Sequence, residues 1–150
     1  MDVGYLILAD AATVAEGKHY IHGAGWDSLV TTTFPFTQSL TVAAQLRTPW
    51  HETNQQHVLE VDVVNEDGAS ILPPPGPMRG PVISGRPPQL PQGADVTAPF
   101  VFTLGNVPFE RPGTYAVVIR VDGLLKARYP FHVTSLVPQA QPPAIASESA

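Results

Sequence analysis

Residues 113–133 read GTYAVVIRVDGLLKARYPFHV, and this stretch decides the fold because it specifies both strands and the turn of one hairpin. From Tyr115 to Val121 apolar side chains recur at every second position, which is the period of a strand with one face on a core. Asp122 and Gly123 then supply the two-residue turn of a tight β-hairpin, because both residue types tolerate positive backbone dihedrals. In the returning strand the expected inner residues are Leu125, Ala127 and Tyr129, and the expected solvent-facing residues are Lys126 and Arg128.

Upstream of this hairpin, apolar segments bounded by turn residues predict five more strands. They cover about residues 3–9, 19–34, 39–47, 58–64 and 96–104. The first is apolar on both faces, so we expect it at the centre of a sheet rather than at an edge. The second contains Gly23 and Gly25 beside Trp26, which indicates a bulge or bend. Between these two strands, residues 11–15 are compatible with one helical turn, and Gly17 is expected at positive φ in a wide connection.

The strand pattern predicts an all-β fold, more specifically an antiparallel two-layer β-sandwich of about seven strands. Residues 112–115, Pro-Gly-Thr-Tyr, resemble the tyrosine corner of immunoglobulin-like domains, in which a tyrosine near the start of the penultimate strand bonds to nearby backbone. The chain has no cysteine, so it lacks the inter-sheet disulfide of true immunoglobulin domains. We therefore predict an immunoglobulin-like topology and not an immunoglobulin domain.

The chain contains 17 prolines, which are concentrated in two places. Between residues 73 and 91, eight of nineteen residues are proline and three are glycine, so few N–H groups are available for a sheet ladder. We predict a mobile Pro-rich loop insert of polyproline II character there. Residues 138–150 show no periodicity and are predicted to be a disordered tail. The expected organisation is a single domain over residues 1–137.

One motif of the insert is typical of a ligand for a protein partner. The sequence Arg86-Pro87-Pro88-Gln89-Leu90-Pro91 resembles a polyproline segment that docks in an aromatic groove, because a pre-extended helix loses little entropy on binding. The candidate partner-binding residues are Arg86, Pro87, Pro88, Leu90 and Pro91. The alternative interpretation is a surface insertion with no binding role.

Charge and hydropathy argue against two classes of partner. Eight Lys plus Arg against 13 Asp plus Glu give a net charge of −5, which leaves no clustered basic surface for nucleic acid. The apolar residues 3–9 are far fewer than the ~20 that span a bilayer. No basic residue precedes Lys18, so the positive region of a secretory signal is missing. We expect a cytoplasmic protein that binds neither nucleic acid nor membrane.

No pattern in the chain assigns a metal, another cofactor or a catalytic residue. His19 and His22 are three positions apart and so point to opposite faces of a strand, which does not suit a shared metal. The acidic loop at residues 62–67 is rich in oxygen ligands for calcium, but Asn-Glu-Asp-Gly is also an ordinary turn sequence. No serine lies in a nucleophile elbow, and no glycine-rich phosphate loop is present.

Several short motifs of glycines and core apolar residues are shared with a known group of proteins. They are Ile7-Leu8-Ala9-Asp10, Gly17, Gly23-x-Gly25-Trp26, Pro112-Gly113-x-Tyr115, Val121-Asp122-Gly123 and Pro130-Phe131-x-Val133. On these motifs the chain resembles a family of short, uncharacterised bacterial proteins, found largely in actinobacteria. The resemblance covers most of residues 3–133 except the insert at 73–91. It implies one folded domain in a bacterial cell, and no activity or catalytic residue.

These observations favour a non-catalytic interaction or structural module. A β-sandwich without catalytic motifs commonly serves recognition, so we expect it to bind a protein partner or another copy of itself. The alternative is a small-molecule- or metal-binding enzyme, of hydrolase type, built on the same sandwich.

Overall fold

The computed structural model describes residues 1–136. This range contains ten β-strands and one short 3₁₀ turn, joined by loops. The strands are β1 (Asp2–Ala9), β2 (Ala11–Ala15), β3 (Lys18–His22), β4 (Ser28–Thr31), β5 (Phe36–Thr48), β6 (Gln56–Val64), β7 (Met78–Ile83), β8 (Val96–Phe109), β9 (Gly113–Val121) and β10 (Leu124–Ser135). The 3₁₀ turn η1 covers Trp50–Glu52. Within this range no helix has the length and apolarity needed to cross a bilayer. The all-β class is confirmed, whereas the predicted tail at 138–150 lies outside the described residues.

The strands form three sheets. A three-stranded sheet has the order β1-β5-β8, a five-stranded sheet has the order β4-β10-β9-β6-β7, and β2 and β3 form a separate ribbon. Every pair is antiparallel except β4 with β10, which is parallel. The strand count and the parallel pair depart from the predicted seven-stranded antiparallel arrangement. Strand periodicity identifies strands but carries no information on pairing direction.

The two larger sheets share one hydrophobic core. Its fully buried side chains include Leu8, Leu40, Leu46 and Phe109 from the three-stranded sheet and Val61, Val63, Val117, Ile119 and Phe131 from the five-stranded sheet. Within each strand these residues recur mainly at every second position, because successive side chains of a strand point to opposite faces. The inner face predicted for β9, from Tyr115 to Val121, is buried as expected.

The hairpin of β9 and β10 turns where the sequence predicts. Asp122 and Gly123 have φ values of 52° and 80°, as a tight turn of this kind requires. The returning strand differs from the prediction, because the register shifts between Leu125 and Ala127. Such a bulge inserts an extra residue and interrupts the alternation of faces. Leu125 is consequently 58% exposed, and the prediction that it faces inward is wrong.

Strand β1 lies at an edge of its sheet, so the predicted central position is wrong. Within residues 1–136 it pairs only with β5, and Tyr5 is 42% exposed. Its apolar character has another cause, because β1 lies against β10 of the other sheet. At this side the two sheets approach each other, and Lys126 Nζ lies 3.2 Å from Asp2 Oδ1.

The segment predicted as one interrupted strand over residues 19–34 is two strands in different sheets. β3 pairs with β2 in the ribbon, whereas β4 pairs with β10. Residues 11–15 form β2 rather than a helical turn, and Gly17 has the expected positive φ of 72° but in a tight hairpin turn. His19 fastens the ribbon to the three-stranded sheet, because its ring nitrogens contact the Tyr5 hydroxyl and the Phe100 carbonyl.

The Pro-rich insert at residues 73–91 contains strand β7, so the prediction that it forms no ladder is wrong for those six residues. β7 pairs antiparallel with β6 and ends the five-stranded sheet. Its single proline, Pro81, lies opposite Val58. The Val58 N–H donates to Asp122 Oδ1 and the Val58 carbonyl accepts from the Asp122 N–H, each at 2.9 Å. Because Val58 directs both groups toward β9, Pro81 removes no ladder bond.

Candidate functional site: the β7–β8 seam

The two larger sheets are open along one side. There β7 ends the five-stranded sheet and β8 ends the three-stranded sheet, and neither has a second neighbour in the described residues. We call the space between β7 and residues 96–104 of β8 the β7–β8 seam. It lies on the side opposite the contact between β1 and β10.

Three concavities follow one another along the seam. The widest, of about 430 Å³, lies at the Ile83 end, and two of about 200 Å³ follow toward the opposite end. Phe100 borders the first and the second, and Met78 borders the second and the third. Neighbouring concavities thus share a wall, and we call this row of three adjoining concavities the groove.

The groove is mainly apolar and partly aromatic. Phe100 and Phe102 stack with ring centroids 5.9 Å apart and an angle of 6° between their planes. Both are half-buried against the shared core, whereas Met78 and Ile83 on the facing strand are 41% and 60% exposed. Single exposed apolar residues are normal on a protein surface, but these two border concavities that half-buried aromatic rings also line, which is typical of an interaction site.

Arg86 and Pro87, two of the residues predicted to bind a partner, border the widest concavity. The Arg86 guanidinium lies over the Trp50 ring, 4.2 Å from its centroid, and donates to the Trp50 carbonyl at 3.1 Å and to the Thr53 hydroxyl. A cation over an aromatic face is stabilised by the ring quadrupole. The insert is therefore attached to the 3₁₀ turn at this end of the seam.

Pro88, Leu90 and Pro91 lie in two successive tight turns beyond Arg86. The Leu90 N–H donates to the Pro87 carbonyl, and the Ala94 N–H donates to the Pro91 carbonyl, each at 3.1 Å. A polyproline II helix has no internal hydrogen bonds, so the predicted extended conformation is wrong for these residues. The non-proline residues between the prolines retain their donors and allow the chain to turn. The binding role of the five residues remains a prediction.

Ser84 fastens the end of β7 beside the widest concavity. Its hydroxyl lies 2.8 Å from the Thr48 hydroxyl, and its carbonyl accepts from the Asn54 N–H at 2.7 Å. These bonds join the insert to the last residue of β5 and to the segment that follows it. Polar contacts, one of them to the buried Thr48, thus hold the wall of the groove at this end.

The acidic loop predicted as a possible calcium site uses its oxygens within the protein. Asp62 is 3% exposed and accepts from the Ser70 hydroxyl at 2.6 Å, and Glu66 accepts from the Thr114 N–H at 2.9 Å. A polar concavity of about 310 Å³ lies between Glu66 and Tyr115. Among residues 1–136 no three His, Cys, Asp or Glu side chains are placed together to hold a metal ion.

A buried histidine forms a second polar cluster that sequence reasoning missed. His57 Nδ1 lies 2.8 Å from Asp122 Oδ2, and Nε2 lies 3.2 Å from the Glu52 carbonyl. The hydrogen bond from His57, together with that from the Val58 N–H, lowers the pKa of Asp122 below its usual range. No local signal in the sequence marks this cluster, because the partners come from distant segments.

The seam itself had one signal in the sequence. The i, i+2 spacing of Phe100 and Phe102 places two aromatic rings on one face of a strand. The facing wall was missed, because Met78, Val82 and Ile83 lie inside the Pro-rich insert.

The chain belongs to DUF6941, a family of unknown function whose model matches residues 4–134. The expected membership of an uncharacterised family is thus confirmed. No curated protein matches the chain. Among solved structures, the chain is similar to the Pseudomonas fluorescens alkylpurine DNA glycosylase AlkC bound to DNA containing an abasic site analogue, with 10% identity and a TM-score of 0.37. That match covers 85% of this chain and 30% of the glycosylase chain, and likeness at this level carries no argument about fold or function.

Proposed function

We propose that this member of the family is a non-catalytic interaction module that binds a protein partner through the β7–β8 seam. The observation that carries the proposal is the row of adjoining, mainly apolar concavities between two strands that both end their sheets. An apolar centre with a polar rim is the usual form of a protein–protein interface. Arg86 and the turn beyond it supply that rim.

The exposed side chains of the groove supply a driving force for binding. Ile83 and Met78 are 60% and 41% exposed, and covering them removes apolar surface from water. Full burial of such a side chain contributes about 1.5–3 kcal/mol, so covering the exposed part contributes roughly 1 kcal/mol for each. Aromatic rings at the centre of an interface typically contribute most of the affinity, and Phe100 and Phe102 occupy that position.

The alternative function, an enzyme on the same fold, has less support. His57 and Asp122 resemble part of a catalytic dyad, but both ring nitrogens of His57 contact acceptors of the protein. Nucleophilic catalysis requires a hydroxyl or thiol within reach of the base. Within residues 1–136, His57 contacts no hydroxyl. In the polar concavity near Tyr115, the carboxylate of Glu66 already accepts a backbone N–H.

An immunoglobulin-like relationship and a cytoplasmic location complete the proposal. The Tyr115 hydroxyl donates to the Arg111 carbonyl at 2.6 Å, at the start of the penultimate described strand, as in a tyrosine corner. A core shared by the two larger sheets supports the same relationship. The lack of cysteine is compatible with a reducing compartment.

Site-specific photo-cross-linking in the native host tests the proposed function. A benzophenone amino acid is placed at position 83, in the seam, or at position 30 on β4, at the opposite edge of the five-stranded sheet. The two native residues are similarly exposed, at 60% and 57%. We expect a discrete adduct from position 83 alone, and an adduct of twice the chain mass would identify the partner as a second copy. No adduct from position 83, or the same adducts from both positions, would contradict the proposal.

A further inference from the structure

We infer that the seam accepts an amphipathic helix with an acidic residue at its flank, and not an added β-strand. This inference rests on the proposed function. It is carried by two prolines, Pro81 and Pro99, and by the charge of Arg86, which has no ion pair in the described residues.

Pro81 interrupts the free edge of β7. Its partner Val58 directs its N–H and carbonyl toward Asp122, on the side away from β7. In an antiparallel pair, opposite residues either both bond to each other or both point away. Pro81 therefore faces the free edge, where its missing N–H leaves a gap in the row of donors.

Pro99 interrupts the free edge of β8 in the same way. The Leu8 carbonyl accepts from the Gly25 N–H at 3.1 Å, so the backbone N–H and carbonyl of Leu8 point away from β5, where Val42 lies opposite. Val42 consequently directs its backbone groups toward β8, where Phe102 lies opposite. The backbone groups of successive residues point to alternate sides of a strand, so those of Phe100 also bond to β5. Those of Pro99 therefore point to the free edge of β8.

The two prolines disfavour binding by strand addition. A strand placed along either edge would bury a carbonyl opposite a proline that cannot donate, and an unsatisfied buried acceptor costs about 1–3 kcal/mol. Prolines on edge strands are a common means of preventing such pairing. A helix forms its backbone hydrogen bonds internally, so it brings apolar side chains to the groove without needing edge donors.

The dimensions of the groove fit a short helix. The six residues of β7 extend for about 20 Å at ~3.3 Å per residue. A helix of about 13 residues has the same length at 1.5 Å per residue. Three concavities in a row accommodate three anchors at i, i+4 and i+7 spacing on one face of such a helix.

Charge at the wide end of the groove selects an acidic flank. Arg86 is exposed, and its guanidinium contacts neutral oxygens and the Trp50 ring. Within residues 1–136 no carboxylate forms an ion pair with it, although Asp95 is close in sequence to the same wall. Arg79, farther along β7, is instead paired with Glu60 at 2.9 Å and lowers the pKa of that carboxyl. Of these two arginines at the groove, Arg86 is the one without an ion pair in the described residues.

Two labelled peptides of identical composition test the inference. Each has about 14 residues, the length that spans the groove. One places leucines at i, i+3, i+4 and i+7 with a glutamate at one end, and the other alternates leucine with polar residues. Fluorescence anisotropy measures binding to the full chain. We expect the helical pattern to bind at least about tenfold tighter than the alternating pattern. Arg86→Gln should weaken binding of the helical peptide, and replacing the glutamate of that peptide by glutamine should remove the effect of Arg86→Gln.

Restoring the missing donors provides the matched variant. The double variant Pro81→Val, Pro99→Val should bind the alternating peptide about tenfold tighter than the native chain does. Its affinity for the helical peptide should be unchanged. Tighter binding of the alternating peptide by the native chain, or no change on restoring the donors, would overturn the inference.

Ile83→Ser separates the two proposals, since this exposed substitution should leave the melting temperature unchanged. If the alternating peptide binds better and Ile83→Ser abolishes its binding, the seam binds partners and only the helix inference fails. If neither peptide binds the native chain, or binding is indifferent to Ile83→Ser, both proposals fail.

Discussion

His57 Nδ1 lies 2.8 Å from Asp122 Oδ2, although 65 positions separate the two residues in sequence. Asp122 belongs to the turn of the β9–β10 hairpin, which is the element that the sequence predicts most clearly. His57 lies near the start of β6. The contact joins the tip of that hairpin to β6, and through the Glu52 carbonyl to the 3₁₀ turn. The side chains thereby fasten three segments that meet near the Ile83 end of β7.

Asp122→Asn should lower the melting temperature at neutral pH. The folded-state pKa of Asp122 is lowered by His57 first and by the Val58 N–H second. A carboxyl with a lowered pKa stabilises the fold above its unfolded pKa of about 3.9, and this contribution is lost as pH falls through the folded value. The difference in melting temperature between native chain and variant should therefore shrink as pH falls from about 5 to below about 3.9, through the lower folded pKa. A difference that stays constant over this range would contradict the ionic account of the contact.

Ile119→Ala should destabilise the chain by about 2–5 kcal/mol, because it removes a fully buried side chain and leaves a cavity. Lys126→Ala is the control. Its ion pair with Asp2 is partly exposed, and such pairs contribute about 0–1 kcal/mol. Urea unfolding measures both free energies. Equal values for the two variants would mean that the assigned inner face of the hairpin is wrong.

Tyr115→Phe should cost about 0.5–1.5 kcal/mol, because the bond from its hydroxyl to the Arg111 carbonyl is lost. Burial raises the pKa of the Tyr115 hydroxyl, so the folded state retains the neutral, donating form. Tyr20→Phe on the exposed face of the ribbon is the matched control and should change little. Thermal melting compares the two, and an equal loss from Tyr20→Phe would refute a special role for Tyr115.

Replacing residues 73–91 by a short Gly-Ser bridge should lower the melting temperature. The composition of the insert predicts a neutral outcome, but β7 covers the edge of β6, and Val82 packs against the shared core. Pro88→Ser, in the exposed turn, should leave stability unchanged. A bridge variant as stable as the native chain would mean that β7 contributes nothing to the fold.

The local elements of this fold are readable from sequence, and their partners are not. Alternation placed β9 and its inner face, and the Asp122-Gly123 pair placed the turn, because both depend on neighbouring residues. Assigning β3 and β4 to different sheets required knowledge of tertiary pairing, which a period of two does not contain. β7 was hidden because prolines around it dominate the local composition, although only Pro81 lies within it.

The candidate site was predictable only in part for the same reason. Arg86 was identified from a motif, and it does border the seam, but through contacts with Trp50 and Thr53 that no motif encodes. The seam arises because two sheets end side by side. That property belongs to the topology rather than to any stretch of residues.

The measurement that tests the central claim most directly is the affinity of purified chain variants for the protein cross-linked at position 83. Ile83→Asp places a charge in the seam, and Val30→Asp places one at a similarly exposed position on β4. Both variants should have the melting temperature of the native chain. The account predicts that Ile83→Asp weakens binding by at least about tenfold, or ~1.4 kcal/mol, while Val30→Asp leaves the affinity unchanged. Equal affinities for the two variants would contradict it.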